Sequence, residues 1–249
     1  MRYLFILLLI SRSWSMAIVN DQDMINKLNK TVDEELEIAL NTLGDKQLNQ
    51  INELVQMKNS GNLKFKYFSN INSRGMQNSD DACDCSTIFI NKDFIDTGVV
   101  STLIHEFEHL KHELLLGEEF FKDNPEIDKL TSIFGDFYFG GNNNQKKNPK
   151  FYEALYVGSA FLFYTEFRAF KEQVDAINAG IKDTVRPERS VADIIETIAN
   201  DYFIKRGIQV NSEYAIYLAE LSYSLTPKEF MLFIYENKKL SNYFMVLQE

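Results

Sequence analysis

The sequence predicts an α+β fold in which a small sheet precedes a mainly helical region. Two segments, "NLKFKYFSN" (62–70) and "STIFIN" (86–91), alternate polar and apolar side chains as half-buried strands do. From Asp96 onward, apolar residues recur three and four positions apart, which is typical of amphipathic helices. Because strands and helices follow one another in separate blocks, the pattern favours α+β over an alternating α/β arrangement.

The first residues, "MRYLFILLLISRSWSMA", have the features of a secretory signal peptide over 1–17. Arg2 provides the positive start, an apolar run follows over 3–10, and small residues predict cleavage after Ala17. The apolar run is too short to anchor the chain, so we expect a secreted or periplasmic protein without stable membrane insertion. Loss of Arg2 and Arg12 takes the formal charge from −10 to −12. This acidity argues against nucleic acid as a partner.

The remaining chain is predicted to form a single domain over 18–249. Its upper α/β part covers 18–117 and its lower helical part covers 118–249. Apolar spacing predicts two helices at 21–42 and 45–58 before the first strand. These two helices form either a wall of the domain or an inhibitory segment.

Further helices are predicted after the strands, and the Ser/Asp/Cys-rich segment between the strands is interpreted as a loop. A short helix lies in "NPEIDKLTSIFGDFYFGG", and an exposed Gly/Asn/Lys-rich loop follows it. The later helices are expected at 150–179, closed by Gly180, and near 190–206, 211–224 and 226–247.

All three histidines of the chain fall within "STLIHEFEHLKHELLLGE". His105 and His109 are four residues apart, so on a helix both imidazoles point to one side and can bind one ion. Glu106 lies about 100° round the helix, where it can accept a proton from a metal-bound water without ligating the metal. This H-E-x-x-H pattern predicts one Zn²⁺ ion, with His105 and His109 as ligands and Glu106 as the catalytic base.

The same helix has an apolar opposite face, which we expect to pack against a core. The residues of that face are Val99, Leu103, Phe107, Leu110 and Leu114. His112 shares the histidine face but lies two turns, about 10 Å, beyond His105, so all three histidines cannot bind the same ion. We expect His112 to be solvated, and the alternatives are a supporting role behind the metal ligands or a hydrogen bond to a ligand carboxylate.

A catalytic zinc ion needs a third protein ligand. In "FLFYTEFRAFKEQ", Glu166 is the one acid on a stripe of apolar and small side chains along the predicted helix 150–179. A carboxylate on a buried stripe is paired, protonated or bound to a cation. Pairing with an arginine is the alternative, and metal ligation is the interpretation that we favour.

With these residues, the chain resembles the zincin metallopeptidases of the gluzincin type, in which a Glu on a later helix completes the site begun by H-E-x-x-H. The resemblance covers about residues 62–180, and "TEFRA" has the E-x-x-A form seen in several such proteins. It implies an upper sheet whose edge strand lines the substrate cleft, and "STIFIN" is similar to that strand. The metzincin class is excluded, because Leu115 occupies the position of its third histidine.

Other side chains are alternative candidates for the third ligand. "GDFYFGG" is weakly similar to a motif of aspartate-ligand zincins, which nominates Asp136. Cys83 or Cys85 is a further alternative, as in deformylase-like enzymes, although two thiols or a local disulfide without a catalytic role is the simpler interpretation. The donor that stabilises the transition-state oxyanion is sought among four residues: His112, Tyr138, Tyr164 and Tyr214.

The sequence therefore predicts a secreted zinc metallopeptidase that hydrolyses peptide or protein substrates. Two alternatives differ in function. One is a non-catalytic zincin-like module that binds or inhibits a partner, and the other is a narrow-specificity hydrolase of cell-wall or toxin-like amide bonds. The retained Glu106 favours an enzyme over a binding module.

Overall fold

A computed structural model describes residues 17–69, 75–80, 85–184, 190–238 and 243–246 of the chain. Over these ranges the protein is mostly helical with a small N-terminal sheet, which confirms the predicted α+β class. The predicted signal peptide, apart from Ala17, lies outside the described residues, as does Cys83.

The first two helices and the long helix of the central region begin and end within one residue of the predicted bounds 21–42, 45–58 and 150–179. The helices of the described ranges are α1 Gln22–Thr42, α2 Asp45–Asn59, α3 Ile95–Asp123, α4 Pro125–Tyr138, α5 Phe151–Asn178, α6 Val191–Ile198, α7 Ser212–Ser224 and α8 Pro227–Glu236. The strands are β1 Ala17–Ile18, β2 Leu63–Ser69, β3 Gly75–Asp80, β4 Cys85–Asn91, β5 Ile208–Val210 and β6 Phe244–Val246.

The N-terminal sheet has the strand order β1-β2-β4-β3. Strands β2 and β4 are the two that alternation predicts, and they pair in parallel, with Leu63 opposite Ser86. The expectation that "STIFIN" is an edge strand is wrong, because β4 pairs with β2 on one side and with β3 on the other. Strand β3 lies in the segment that the sequence predicts to be a loop. Its sequence, "GMQNSD", has no apolar alternation, and only its backbone pairing with β4 makes it a strand.

The described residues divide into two compact units, and each is built from separate stretches of the chain. One unit contains residues 17–110 and 169–184. Here α1, α2 and the first part of α3 pack with the sheet around a shared apolar core. Its fully buried members include Val32, Ile51, Leu54, Ile88, Leu103 and Phe107.

The other unit contains residues 111–168 and the described residues from Ser190 onward. Its core is rich in aromatic side chains, among them Phe134, Tyr156, Phe163, Phe167, Phe203 and Phe230. The boundary between the units falls between Leu110 and Lys111 within α3, and between Arg168 and Ala169 within α5.

Two helices near the C-terminus are shorter than the sequence predicts. The helix expected over 190–206 ends at Ile198 and continues as a π-helical turn and a 3₁₀ turn. The helix expected over 226–247 ends at Glu236, and Phe244–Val246 forms β6, which pairs antiparallel with β5. Short apolar runs of this kind suit either a helix or a strand, so a distant partner strand decides between them.

Within the described ranges, no helix combines the length and the apolar character needed to cross a membrane.

The packing of α4 against α5 predicts a strong effect of one added methyl group. A Cβ atom at Gly158 would lie 2.1 Å from Cγ of the buried Phe134. We expect Gly158→Ala to lower the free energy of unfolding by about 1–3 kcal/mol, because the ring has to shift within a packed core. Gly44→Ala is the matched control, since nothing lies within 4 Å of its Cβ position and its change should stay within about 1 kcal/mol. Urea unfolding of both variants measures the difference, and equal losses would contradict this account of the packing.

Candidate metal centre

Helix α3 directs His105 and His109 to one side and its apolar residues to the other, as the spacing predicts. Val99, Leu103, Phe107 and Leu110 are buried in the core of their unit. Leu114, expected on the same apolar face, is 58% exposed, so that expectation was wrong. The core holds the apolar side of α3 only as far as Leu110.

The two imidazoles are almost completely buried. His105 is 7% exposed and His109 is 6% exposed, and their Nε2 atoms lie 3.2 Å apart. The ring of Phe170 on α5 contacts His105 edge to face, with 4.6 Å between the ring centroids. An aromatic wall on one side of His105 limits the directions in which its ring can turn.

Helix α5 carries Glu166, which is 4% exposed. Its neighbours one turn away on the same stripe, Leu162, Phe163, Ala169 and Phe170, are all buried. The predicted stripe is therefore a buried surface, and Glu166 is its acidic member. An ionised carboxylate in such surroundings needs a compensating positive charge or hydrogen-bond donors.

The ligand atoms of His105, His109 and Glu166 all lie within 4.8 Å of one another. This buried group could bind a metal ion, and it contains the three ligands that the sequence predicts. Two zinc–nitrogen bonds of about 2.05 Å in a tetrahedral arrangement place the nitrogens about 3.3 Å apart. The observed Nε2–Nε2 separation of 3.2 Å agrees with that value. A hydrogen bond between the imidazoles gives a similar separation, but it does not require a carboxylate to converge on the same point.

The rival ligands lie elsewhere or are chemically unsuited. Asp136 is half-buried, and its carboxylate accepts a hydrogen bond of 3.1 Å from Nε2 of Gln145. It is not a member of the converging group. Cys85 is disulfide-bonded and so offers no thiolate to a metal. Of the ligands weighed from the sequence, the structure brings Glu166 to the histidines.

The expectation that His112 is solvated was wrong. His112 is 3% exposed, and its ring lies 5.3 Å from that of Tyr164 on α5. The histidine face of α3 therefore stays covered for a further turn beyond His109. Spacing along α3 places His112 on the correct side, but only the packing of α5 against that side buries it.

The three tyrosines considered as oxyanion donors use their hydroxyl groups in bonds to other residues. Tyr164 donates to the carbonyl oxygen of Leu225 at 3.0 Å, and Tyr138 donates to that of Tyr202 at 2.5 Å. The hydroxyl groups of Tyr214 and Tyr156 form a hydrogen bond with 2.5 Å between their oxygens. None of these bonds points to a role in transition-state stabilisation.

The charge of the Glu166 carboxylate on α5 nevertheless affects the pKa of Tyr138. Burial raises the pKa of its phenol, the neighbouring Arg206 lowers that pKa, and the charge of Glu166 raises it. The Arg206 guanidinium lies 4.4 Å from the centroid of the Tyr138 ring. Tyr138 therefore lies within the electrostatic surroundings of Glu166 without belonging to the converging group.

Glu108, which is not among the predicted site residues, is buried on α3 beside His109. Its carboxylate accepts a hydrogen bond of 3.4 Å from Nε2 of Gln50, which is also buried. Glu108 lies about 60° from His105 around the helix, on the side away from Glu106. That angle was a usable signal, because it puts a second acid at the border of the histidine face.

No protein-family model, no curated protein and no solved structure matches this chain.

The ligand assignment predicts a clear difference between two carboxylates. After dialysis against zinc and then against metal-free buffer, the wild-type chain should retain about one zinc ion. His105→Ala, His109→Ala and Glu166→Ala should each reduce zinc content to near background, because every one removes a converging ligand. Asp136→Ala, the matched carboxylate control, should retain the ion. Elemental analysis of the four variants decides, and zinc retained by Glu166→Ala or lost by Asp136→Ala would contradict the assignment.

Proposed function

We propose that this chain is a zinc-dependent hydrolase of peptide bonds, a zincin of the gluzincin type with Glu106 as its general base. The observation that carries the proposal is the buried convergence of His105, His109 and Glu166. Glu106 follows the first of these ligands directly in the chain and is 8% exposed. Two histidines alone, or one buried acid alone, would not support a hydrolase. Three converging ligands beside Glu106, a carboxylate that can act as a general base, do support one.

Two imidazoles and one carboxylate form the ligand type found in zinc hydrolases that leave one coordination position for water or substrate. When bound, zinc lowers the pKa of a water molecule and polarises a carbonyl group. The number of ligands also separates this proposal from a structural zinc site, where four protein ligands close the coordination shell. Among the described residues, the converging group has three members.

Glu106 provides the proton transfer. Its carboxylate can accept a proton from the attacking water and then deliver it to the departing amine nitrogen. Its place on α3, about 100° from His105, keeps it close to the ligands without adding it to them. Because Glu106 is almost completely buried, little water competes for its oxygens, and electrostatic interactions at the site are stronger than in solvent.

A peptide or protein is the substrate class that we propose, and the predicted signal peptide assigns the activity to the secreted or periplasmic space. The alternative of a narrow-specificity cell-wall or toxin-like amide hydrolase uses the same chemistry at a different amide bond. The alternative of a non-catalytic zincin-like module uses the same ligands but has no role for Glu106. Loss of activity in a Glu106 variant that retains its metal separates the enzyme from the module.

Glu106→Gln tests the general base. The amide keeps the size of the side chain but cannot accept the proton, so kcat/KM on a peptide library should fall by about 10²–10⁴-fold. Zinc content should stay at the wild-type level, because Glu106 is not a ligand. Glu118→Gln is the matched control on the same helix, since Glu118 is exposed and should leave kcat/KM unchanged.

Two outcomes would contradict the enzyme proposal. The first is a Glu106→Gln variant as active as wild type. The second is a wild-type chain that is loaded with zinc yet inactive on peptides and on cell-wall amides, a result that favours the binding module. Removal of zinc by a chelator should abolish activity, and added zinc should restore it.

A further inference from the structure

A buried hydroxyl group lies one helical turn before the first histidine. Ser101 is completely buried on α3, four residues before His105. Its Oγ atom donates to a carboxylate oxygen of Asp183 at 2.6 Å and accepts from Nε2 of Gln173 at 3.4 Å. Oγ also lies 2.9 Å from the carbonyl oxygen of Gly98 in the same helix. One side chain of α3 therefore meets two polar groups that belong to other parts of the chain.

Both of these polar groups restrain α5. Gln173 is part of α5 and is buried, seven residues, or two turns, after Glu166. Asp183 follows the end of α5 at Asn178 by only five residues. The neighbouring Thr184 donates its backbone N–H to the carbonyl oxygen of Thr97 at 2.8 Å, so the segment after α5 is bonded to α3 at two points.

These bonds set the position at which α5 passes α3. The Ser101–Gln173 pair lies one turn from the His105–Phe170 contact on both helices. Apolar side chains tolerate small sliding movements, because their contacts have no preferred direction. Hydrogen bonds to a fully buried hydroxyl do have a direction, and a displaced helix would break the bonds that Ser101 makes to Gln173 and Asp183.

We propose that Ser101, Gln173 and Asp183 form a positioning network that holds α3 and α5 in the register required for metal binding. The network touches neither the metal nor the substrate. It acts on two ligands through their helices. Ser101 holds α3 one turn from His105, and Gln173 holds α5 two turns from Glu166. The inference rests on the proposed zinc site and adds to it the residues that keep its ligands together.

Zinc affinity of matched variants tests the network. Ser101→Ala and Gln173→Met each remove one partner of the Ser101–Gln173 bond, and each should weaken zinc binding by about 10–100-fold. Thr102→Val is the control: Thr102 is the adjacent residue, is buried, and directs its hydroxyl only to the Gly98 carbonyl of its own helix at 3.2 Å. Its zinc affinity should stay within about threefold of wild type.

Two further readouts separate positioning from a general loss of stability. Thermal unfolding of the metal-free proteins measures the stability lost in each variant, and the loss should be larger for Ser101→Ala, because it removes a hydrogen-bond partner of both Asp183 and the buried Gln173. The visible spectrum of the cobalt-substituted protein, which reports ligand geometry, should change in Ser101→Ala and Gln173→Met but not in Thr102→Val. If Ser101→Ala does not fold, Gln173→Met decides.

The outcomes distinguish this inference from the proposed function. Wild-type zinc affinity and an unchanged cobalt spectrum in both network variants would overturn the network while leaving the zinc site intact. Equal weakening of zinc binding in Ser101→Ala and Thr102→Val would overturn it as well, because the effect would then not depend on the bonds of the network. A wild-type chain that binds no zinc contradicts the proposed function, and the inference is overturned with it.

Discussion

The register between α3 and α5 is the constraint on which the candidate site depends. The residues that face one another are Ser101 with Gln173, His105 with Phe170, and His112 with Tyr164. Along these three pairs the residue number increases on α3 and decreases on α5, so the two helices run antiparallel in this stretch. His109 and Glu166 fall between the last two pairs, where their ligand atoms converge within 4.8 Å. A shift by one turn, about 5.4 Å, would exceed that distance.

This register brings together groups that are unfavourable in a protein interior unless something compensates them. Two imidazoles and a carboxylate, each less than 10% exposed, lie against apolar and aromatic side chains. Burial of a carboxylate is costly, and a divalent cation offsets that cost while satisfying both nitrogens. The chemistry of the ligands and the energetics of burial therefore both favour a divalent cation bound by this group, and Glu106, the proposed general base, directly follows His105 in the chain.

The features of the site that the sequence predicts depend on local spacing. His105, His109 and Glu106 follow from helical geometry, and Glu166 follows from being the one acid on a stripe that proved to be buried. Strand β3 and strand β6 could not be predicted in this way, because each is defined by pairing with a partner strand. The burial of His112 and the bond of Ser101 to Gln173 likewise depend on α5, about 50 to 70 residues away in sequence. Spacing shows which side of a helix a residue occupies, and tertiary packing determines what covers that side.

The most direct measurement is an anomalous diffraction map, recorded at the zinc edge, from crystals of the protein grown with zinc. We expect a single strong peak about 2 Å from an imidazole nitrogen of His105, an imidazole nitrogen of His109 and a carboxylate oxygen of Glu166. A map with no peak among these residues would contradict it. So would a peak bound by other side chains, with Glu166 turned away from both histidines.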